Sequence, residues 1–117
     1  MANGLKRVLG GVQFLQPPVF APATVAALGS NQSGAALLTG TVNHVTGADG
    51  TKGVRLPAVV RPGVLVVVYN AHTTSALKVY PPSSGTINGG SANAAIDLDA
   101  RTPAVLIATS ATNWAKL

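Results

Sequence analysis

Few residues of this chain are of the types that do chemistry. The two histidines, His44 and His72, lie far apart in the sequence, and neither has a carboxylate or a thiolate beside it. A metal site would need folding to bring both together with further ligands, so structural or surface roles are favoured for them. The sequence therefore predicts no metal-ligating residues.

Two carboxylates stand closer together. Asp97 and Asp99 are two positions apart, a spacing that puts both on the same side of a strand. Such a pair could bind a cation or serve in acid–base catalysis. The alternative is a solvated strand edge whose carboxylates pair with Arg55 or Arg101, and that is the reading we favour.

Nucleophiles and phosphate-binding loops give no stronger signal. The chain has no cysteine, and none of its many serines lies in a nucleophile elbow. Its glycine-rich stretches lack the lysine that a phosphate-binding loop requires. We therefore expect no catalytic residue, no cofactor-binding residue and no enzymatic activity.

Charge is scarce along the chain. Only 9% of residues are charged, whereas an average soluble domain has about 25%. The net charge of +5 comes from scattered bases without interleaved aromatics, which argues against direct nucleic-acid binding and favours an acidic protein partner. No apolar run is long enough to span a membrane. The apolar N-terminus is interrupted by Gly10-Gly11, which argues against a signal peptide.

The sequence divides into two parts of unequal length, and these parts would position the residues discussed above. Residues 1–36 are rich in Gly, Pro, Ala and Gln, and they are predicted to form an extended N-terminal arm. Within it, Ala23–Leu28 could form one or two helical turns. An arm with this many apolar side chains is expected to lie in a groove of its own domain or of a neighbour.

Residues 37–117 show short apolar runs separated by turn residues. About eight strands are predicted, the strongest at Val64–Asn70 with Leu77–Tyr80 as its hairpin partner. The fold class is therefore all-β, a β-sandwich or jelly roll with an extended N-terminal arm. Both faces of the Val64–Tyr69 strand are apolar, so its second face needs a cover, either the arm or a neighbouring protomer.

Several short motifs from residue 37 onward carry a family resemblance. They are V-x-LP at 54–57, ALKVYPP at 76–82, G-x-INGG at 85–90, SANAA at 91–95 and ATSATNW at 108–114. Together they resemble a domain of tailed-bacteriophage virion proteins, among them the small capsid decoration (cement) proteins. The resemblance covers about residues 37–117 and includes no catalytic signature.

This resemblance implies a structural role. Cement proteins bind the outer surface of the phage head as homotrimers, bridge neighbouring major capsid subunits and stabilise the shell. The implied location is the virion, after assembly in the cytoplasm of the bacterial host. Candidate contacts with the capsid or a protomer are Leu5, Lys6, Arg7, Phe14, Phe20, Arg55, Arg61 and Trp114.

A second function stays open at this point. The domain also resembles parts of head-fibre and tail proteins, so it could be a receptor- or glycan-binding module. That function predicts aromatic side chains exposed in loops, for instance Trp114 or Tyr80. Burial of Trp114 would count against it.

Overall fold

The computed structural model of the protein describes residues 21–117. Five of the candidate contacts, Leu5, Lys6, Arg7, Phe14 and Phe20, therefore lie outside the described residues. The described part of the chain is all-β and contains no helix. Its nine strands are β1 (Ala23–Ala26), β2 (Ala36–Leu37), β3 (Val42–Thr46), β4 (Gly53–Arg55), β5 (Leu65–Asn70), β6 (Leu77–Tyr80), β7 (Ile96–Leu98), β8 (Pro103–Ala108) and β9 (Trp114–Lys116).

The strands form two sheets, and the first six strands enter them alternately. The five-stranded sheet has the order β1-β3-β5-β8-β9, and the four-stranded sheet has the order β2-β4-β6-β7. Consequently β1, β3 and β5 are parallel neighbours, as are β2, β4 and β6. The chain thus winds between the sheets like the coils of a parallel β-helix, and antiparallel β7, β8 and β9 complete the sheets.

One hydrophobic core lies between the sheets. Strand β5 alternates along its length, so that Val66 and Val68 are buried while Val67 and Tyr69 are half-exposed. The core continues through Val45, Leu106 and Trp114 of the five-stranded sheet and through Val54, Leu77, Val79 and Leu98 of the other. The two-layer arrangement over one core agrees with the predicted all-β class.

The pairing differs from that of a jelly roll, in which neighbouring strands are antiparallel. The predicted hairpin of Val64–Asn70 with Leu77–Tyr80 is wrong, because β5 and β6 belong to different sheets. The backbone of β5 pairs instead with β3 and β8. The connection between β5 and β6 is therefore a crossover between layers.

The described part of the predicted arm also contributes to the sheets. Ala23–Leu28 was expected to be helical, and this is wrong, because β1 pairs in parallel with β3 over four residue pairs. The β-branched Thr24 and Val25 favour this extended backbone. Strand β2 spans positions 36 and 37, so the predicted boundary between arm and domain falls inside a strand.

A buried asparagine joins the two sheets at one end. Asn70, the last residue of β5, is fully buried, and its amide nitrogen donates to the carbonyls of Ser75, Leu98 and Asp99. Its side-chain oxygen accepts from the backbone N–H of His72. Because buried polar groups need partners, this fourfold bonding holds the end of β5 against the end of β7.

Candidate contact surface

The loop between β4 and β5 presents the most exposed large apolar side chain of the described residues. We call residues 57–64 the contact loop. Val60 is 93% exposed, and Arg61 beside it is also exposed. Arginine is enriched at protein interfaces, and the exposed side chain of Val60 adds apolar area that a partner could bury.

The contact loop is held firmly at both of its ends. Val59 packs against the core, and its N–H donates to the carbonyl of Ala111. Gly63 donates to the carbonyl of Ala108, and its φ of 95° suits the turn that Arg61-Pro62-Gly63 predicts. The exposed tip is therefore presented by an anchored backbone, which lowers the entropy cost of binding.

The other candidate contacts lie elsewhere. Arg55 is half-buried on the outer face of the four-stranded sheet, in β4 and not in the contact loop that carries Arg61. Trp114 is 1% exposed and sits in the core, so the chain's own residues cover the indole and leave no surface for a partner. Its indole N–H finds no acceptor among the described residues.

The outer side of the five-stranded sheet is apolar at the end where β5 begins. We call six outward-pointing side chains there the apolar outer face; they are Val42, Leu65, Val67, Val105, Ile107 and Ala115. At the other end the outward-pointing side chains include Thr24, His44, Thr46 and Tyr69. Within the strands of the apolar outer face, the residues next to the six are buried, except Lys116 beside Ala115, while the six themselves are half-buried or exposed. None of the six belongs to the core or packs against it. Leu65, at 47% exposed, is the most open of them.

The histidines have separate structural surroundings. His44 lies beside Tyr69, with ring centroids 5.7 Å apart and ring planes tilted by 44°. His72 accepts the backbone N–H groups of Thr74 and Ser75 at its Nδ1, so it closes the turn after β5 and carries its proton on Nε2. Within residues 21–117, no three His, Cys, Asp or Glu side chains meet to hold a metal ion.

Of the acidic pair, only Asp97 forms an ion pair among the described residues. The expectation that Asp97 pairs with Arg55 or Arg101 is wrong, because the register places Lys78 directly opposite it and their charged groups are 2.7 Å apart. The hydrogen bond to Asp97 raises the pKa of Lys78.

Asp49, the first carboxylate of the chain, lies in the turn between β3 and β4. It accepts hydrogen bonds from the N–H groups of Lys52 and Thr51 and from the Thr51 hydroxyl, and these bonds lower its pKa to about 2.

A polar cleft of about 620 Å³ opens beside the same ion pair. It is lined by Ser30, Asn31, Gln32, Ser33, Lys78, Tyr80, Asn93, Ala94 and Ala95. Tyr80 is only 8% exposed, so it offers the cleft an edge and no open ring face. The arrangement suits a small polar ligand better than one that stacks on an aromatic ring.

Sequence reasoning found Arg61 but missed the exposed Val60 beside it. The unbroken apolar run of residues 64–68 did predict that the second face of this strand needs a cover. Only the register shows that its second face meets the apolar side chains of β8.

The comparisons with known proteins add no relative. The chain matches no family model, no curated protein and no solved structure. In the described part of the chain there is no helix of the length and apolarity that crossing a bilayer requires.

Proposed function

We propose that this chain is a structural virion protein, a capsid decoration protein of a tailed bacteriophage. It binds the outer surface of the head as a homotrimer, bridges neighbouring major capsid subunits and stabilises the shell without catalysis. It is assembled in the bacterial cytoplasm and resides on the capsid exterior. The two sheets over one core are the layers of a β-sandwich, built here on parallel pairs.

The observation that carries the proposal is the contact loop. An exposed Val60 and an exposed Arg61 on an anchored backbone form a compact apolar and cationic contact. A cation next to an apolar side chain fits a protein surface that is acidic around an apolar depression. The motifs that resemble cement proteins point to the same class of partner.

The balance of charges supports an acidic partner. Among the acids, Asp97 is neutralised by Lys78 and Asp49 is occupied by its turn. Exposed cations remain at Lys52, Arg61, Arg101 and Lys116. A surface with more free cations than free carboxylates is attracted to negative surfaces over about 10 Å at moderate salt.

The direct test is binding to expanded capsids that lack the protein. We expect the double variant Val60→Ser, Arg61→Ser to bind more weakly than the natural chain, while its melting temperature is unchanged. The matched control is Leu37→Ser, Lys52→Ser, which also removes one exposed apolar side chain and one exposed cation. Equal binding by both double variants would show that the contact loop is not the site that binds the capsid.

Copy number tests the class of virion protein independently. A decoration protein is present in many copies that follow the capsid lattice, whereas a fibre protein is present in few. Quantitative mass spectrometry of purified virions, with the major capsid protein as the reference, measures this ratio. A count of only a few chains per particle would contradict the proposal even if the contact loop binds capsids.

The polar cleft favours one alternative, a receptor- or glycan-binding module of a head fibre or tail protein. Its amide and hydroxyl side chains could hydrogen-bond a saccharide. The burial of Trp114 and Tyr80 removes both aromatic platforms that this function predicted. A glycan array settles the matter: a hit that Asn93→Ala abolishes would support the alternative.

A further inference from the structure

The apolar outer face is continuous across four strands. In register, Val42 lies beside Val67, and Val67 beside Val105. In the next row Leu65 lies beside Ile107, which lies beside Ala115. Every member of these two rows is apolar, and the polar side chains on the same side of the sheet, Thr24, His44, Thr46 and Tyr69, lie beyond them toward the other end of the strands.

The described chain begins next to these rows. Ala23, at the start of edge strand β1, is level with Asn43 and Val68. Because β1 and β5 are parallel, the levels of Val67 and Leu65 lie on the side of Ala23 from which the chain comes. Ala23 itself is about 10 Å from β5, at two strand spacings.

The composition of the upstream residues matches the face. From Val8 to Phe20 there is no Asp, Glu, Lys or Arg. The apolar side chains of this segment are Val8, Leu9, Val12, Phe14, Leu15, Val19 and Phe20. Exposing a segment of this kind to water raises the free energy, and so does exposing the face, so burial of one against the other is favourable.

Its length is also sufficient. Residues 8–20 could extend to roughly 40 Å, at about 3.3 Å per residue. The distance from β1 to β9 is only about 20 Å at the usual strand spacing. The segment can therefore cross the whole sheet with length to spare for a turn at Pro17-Pro18.

We propose that the apolar outer face is the docking surface for residues 8–20 of the same chain. The occupant is the chain's own segment and not that of a second copy, because a short tether gives an effective concentration of about 1 mM. At about 10 μM protein, this favours the intrachain contact over exchange by roughly a hundredfold. Phe14 and Phe20 are then contacts within the chain, while Leu5–Arg7 remain for a partner.

The absence of cysteine from the natural chain allows a direct test. The full-length double variant Phe14→Cys, Val67→Cys is treated with a short bis-maleimide, and the products are separated by mass. We expect a cross-linked product of monomer mass whose yield does not change on dilution. The matched control is Phe14→Cys, Asp97→Cys, with the second thiol exposed on the opposite sheet, and it should give little of this product.

Two outcomes would overturn the proposal. Products of dimer or trimer mass that disappear on dilution would assign the face to a second copy. Equal monomer-mass yields from both cysteine pairs would show that residues 8–20 have no preference for the face.

A second measurement guards against a misleading cross-link. Val105→Cys alone is expected to react slowly with a monofunctional maleimide, and about tenfold faster when Phe14→Ser and Phe20→Ser are added, because the cover is weakened. Asp97→Cys should react at the same rate in both backgrounds. If Val105→Cys reacts equally fast in both, the segment does not cover the face. Since this docking is internal, its failure would leave the capsid-binding proposal intact.

Discussion

The outer faces of the two sheets carry different kinds of side chains. On the four-stranded sheet, Lys78 pairs with Asp97, and Tyr80 lies over Gly53 and is shielded from water. Gln32 from the loop after β1 donates to the carbonyl of Pro81 and fastens that loop over the sheet. The outer side of the five-stranded sheet carries the apolar outer face at one end and Thr24, His44, Thr46 and Tyr69 at the other, with no Asp, Glu, Lys or Arg among these outward side chains.

The outer face of the four-stranded sheet is therefore suited to contact with water, and that of the five-stranded sheet is suited to burial against another surface. Charged pairs and loops complete the four-stranded sheet within the described residues. The five-stranded sheet repeats apolar side chains on both of its sides, as strands buried on two faces do. The comparison predicts that substitutions will have different consequences on each sheet.

The largest effect is expected where the two sheets are joined. Asn70→Ala removes four hydrogen bonds and leaves buried carbonyls of Ser75 and Leu98 unpaired. We expect a loss of about 3 kcal/mol in the free energy of unfolding. Urea unfolding measures this loss. Asn43→Ala, which is equally buried but loses only two bonds, is the control, and an equal or larger loss there would contradict the prediction.

Gly53→Ala tests the packing on the outer face of the four-stranded sheet. A Cβ at this position would stand 2.8 Å from the Tyr80 ring and would also clash with the backbone of Lys78. Backbone cannot yield cheaply, so we expect a loss of about 2 kcal/mol in the free energy of unfolding. Gly34→Ala is the control, since its nearest neighbour is the side chain of Asn31. A melting temperature unchanged in both would show that the sheet adapts.

Val67→Thr tests the apolar outer face. The substitution keeps the shape and the strand preference of the side chain but places a hydroxyl among apolar neighbours. If the face is covered, the loss should be about 1 kcal/mol. Thr substitution at the half-exposed Arg55, on the other sheet, should change stability less. Thermal unfolding of the full-length chain checks both, and no loss at Val67 would indicate an open face.

Lys78→Met should have little effect. The ion pair is solvent-screened, with exposed fractions of 33% and 59%, and its contribution should stay below about 0.5 kcal/mol. Added salt should not shift the melting temperature of the variant relative to that of the natural chain by a measurable amount. A large loss would mean that Lys78 serves the cleft in a way that the pair alone does not explain.

The turn between β3 and β4 connects the sheets and responds to acid. The pKa of Asp49 is about 2 in the folded chain and 3.8 ordinarily, so its carboxylate stabilises the fold above pH 3.8. That stabilisation disappears as the pH falls toward 2. Asp49→Asn should therefore melt slightly below the natural chain at neutral pH, and the two melting curves should converge in acid. A constant difference would contradict this assignment.

Local patterns predicted the strands better than their pairing. The apolar runs predicted strands at Val64–Asn70 and Leu77–Tyr80, close to the observed β5 (Leu65–Asn70) and β6 (Leu77–Tyr80). The choice of sheet for each strand depends on contacts between distant residues and leaves no local pattern. The parallel strands β1, β3 and β5 begin at Ala23, Val42 and Leu65, so the spacing between them is unequal. No constant sequence period therefore reveals that the chain winds repeatedly between the two sheets.

The candidate surface was predicted in part. Arg61 follows from turn chemistry, because Pro62-Gly63 forces an exposed bend. The partner of Asp97 could not be foreseen, since only the register of β6 with β7 decides that Lys78 lies opposite. Likewise β1 was missed because four small residues carry too little periodicity to distinguish a strand from a helical turn.

The alternation of strands between sheets also has a consequence for synthesis. No stretch of the chain contains two consecutive strands that are neighbours until β6 and β7, and the core closes only when β8 and β9 have paired. A nascent chain on the ribosome cannot form a stable core until Trp114 has emerged from the exit tunnel. Folding of the two sheets should therefore begin only after β9 has been synthesised and should be slow, on the scale of milliseconds to seconds that distant contacts impose.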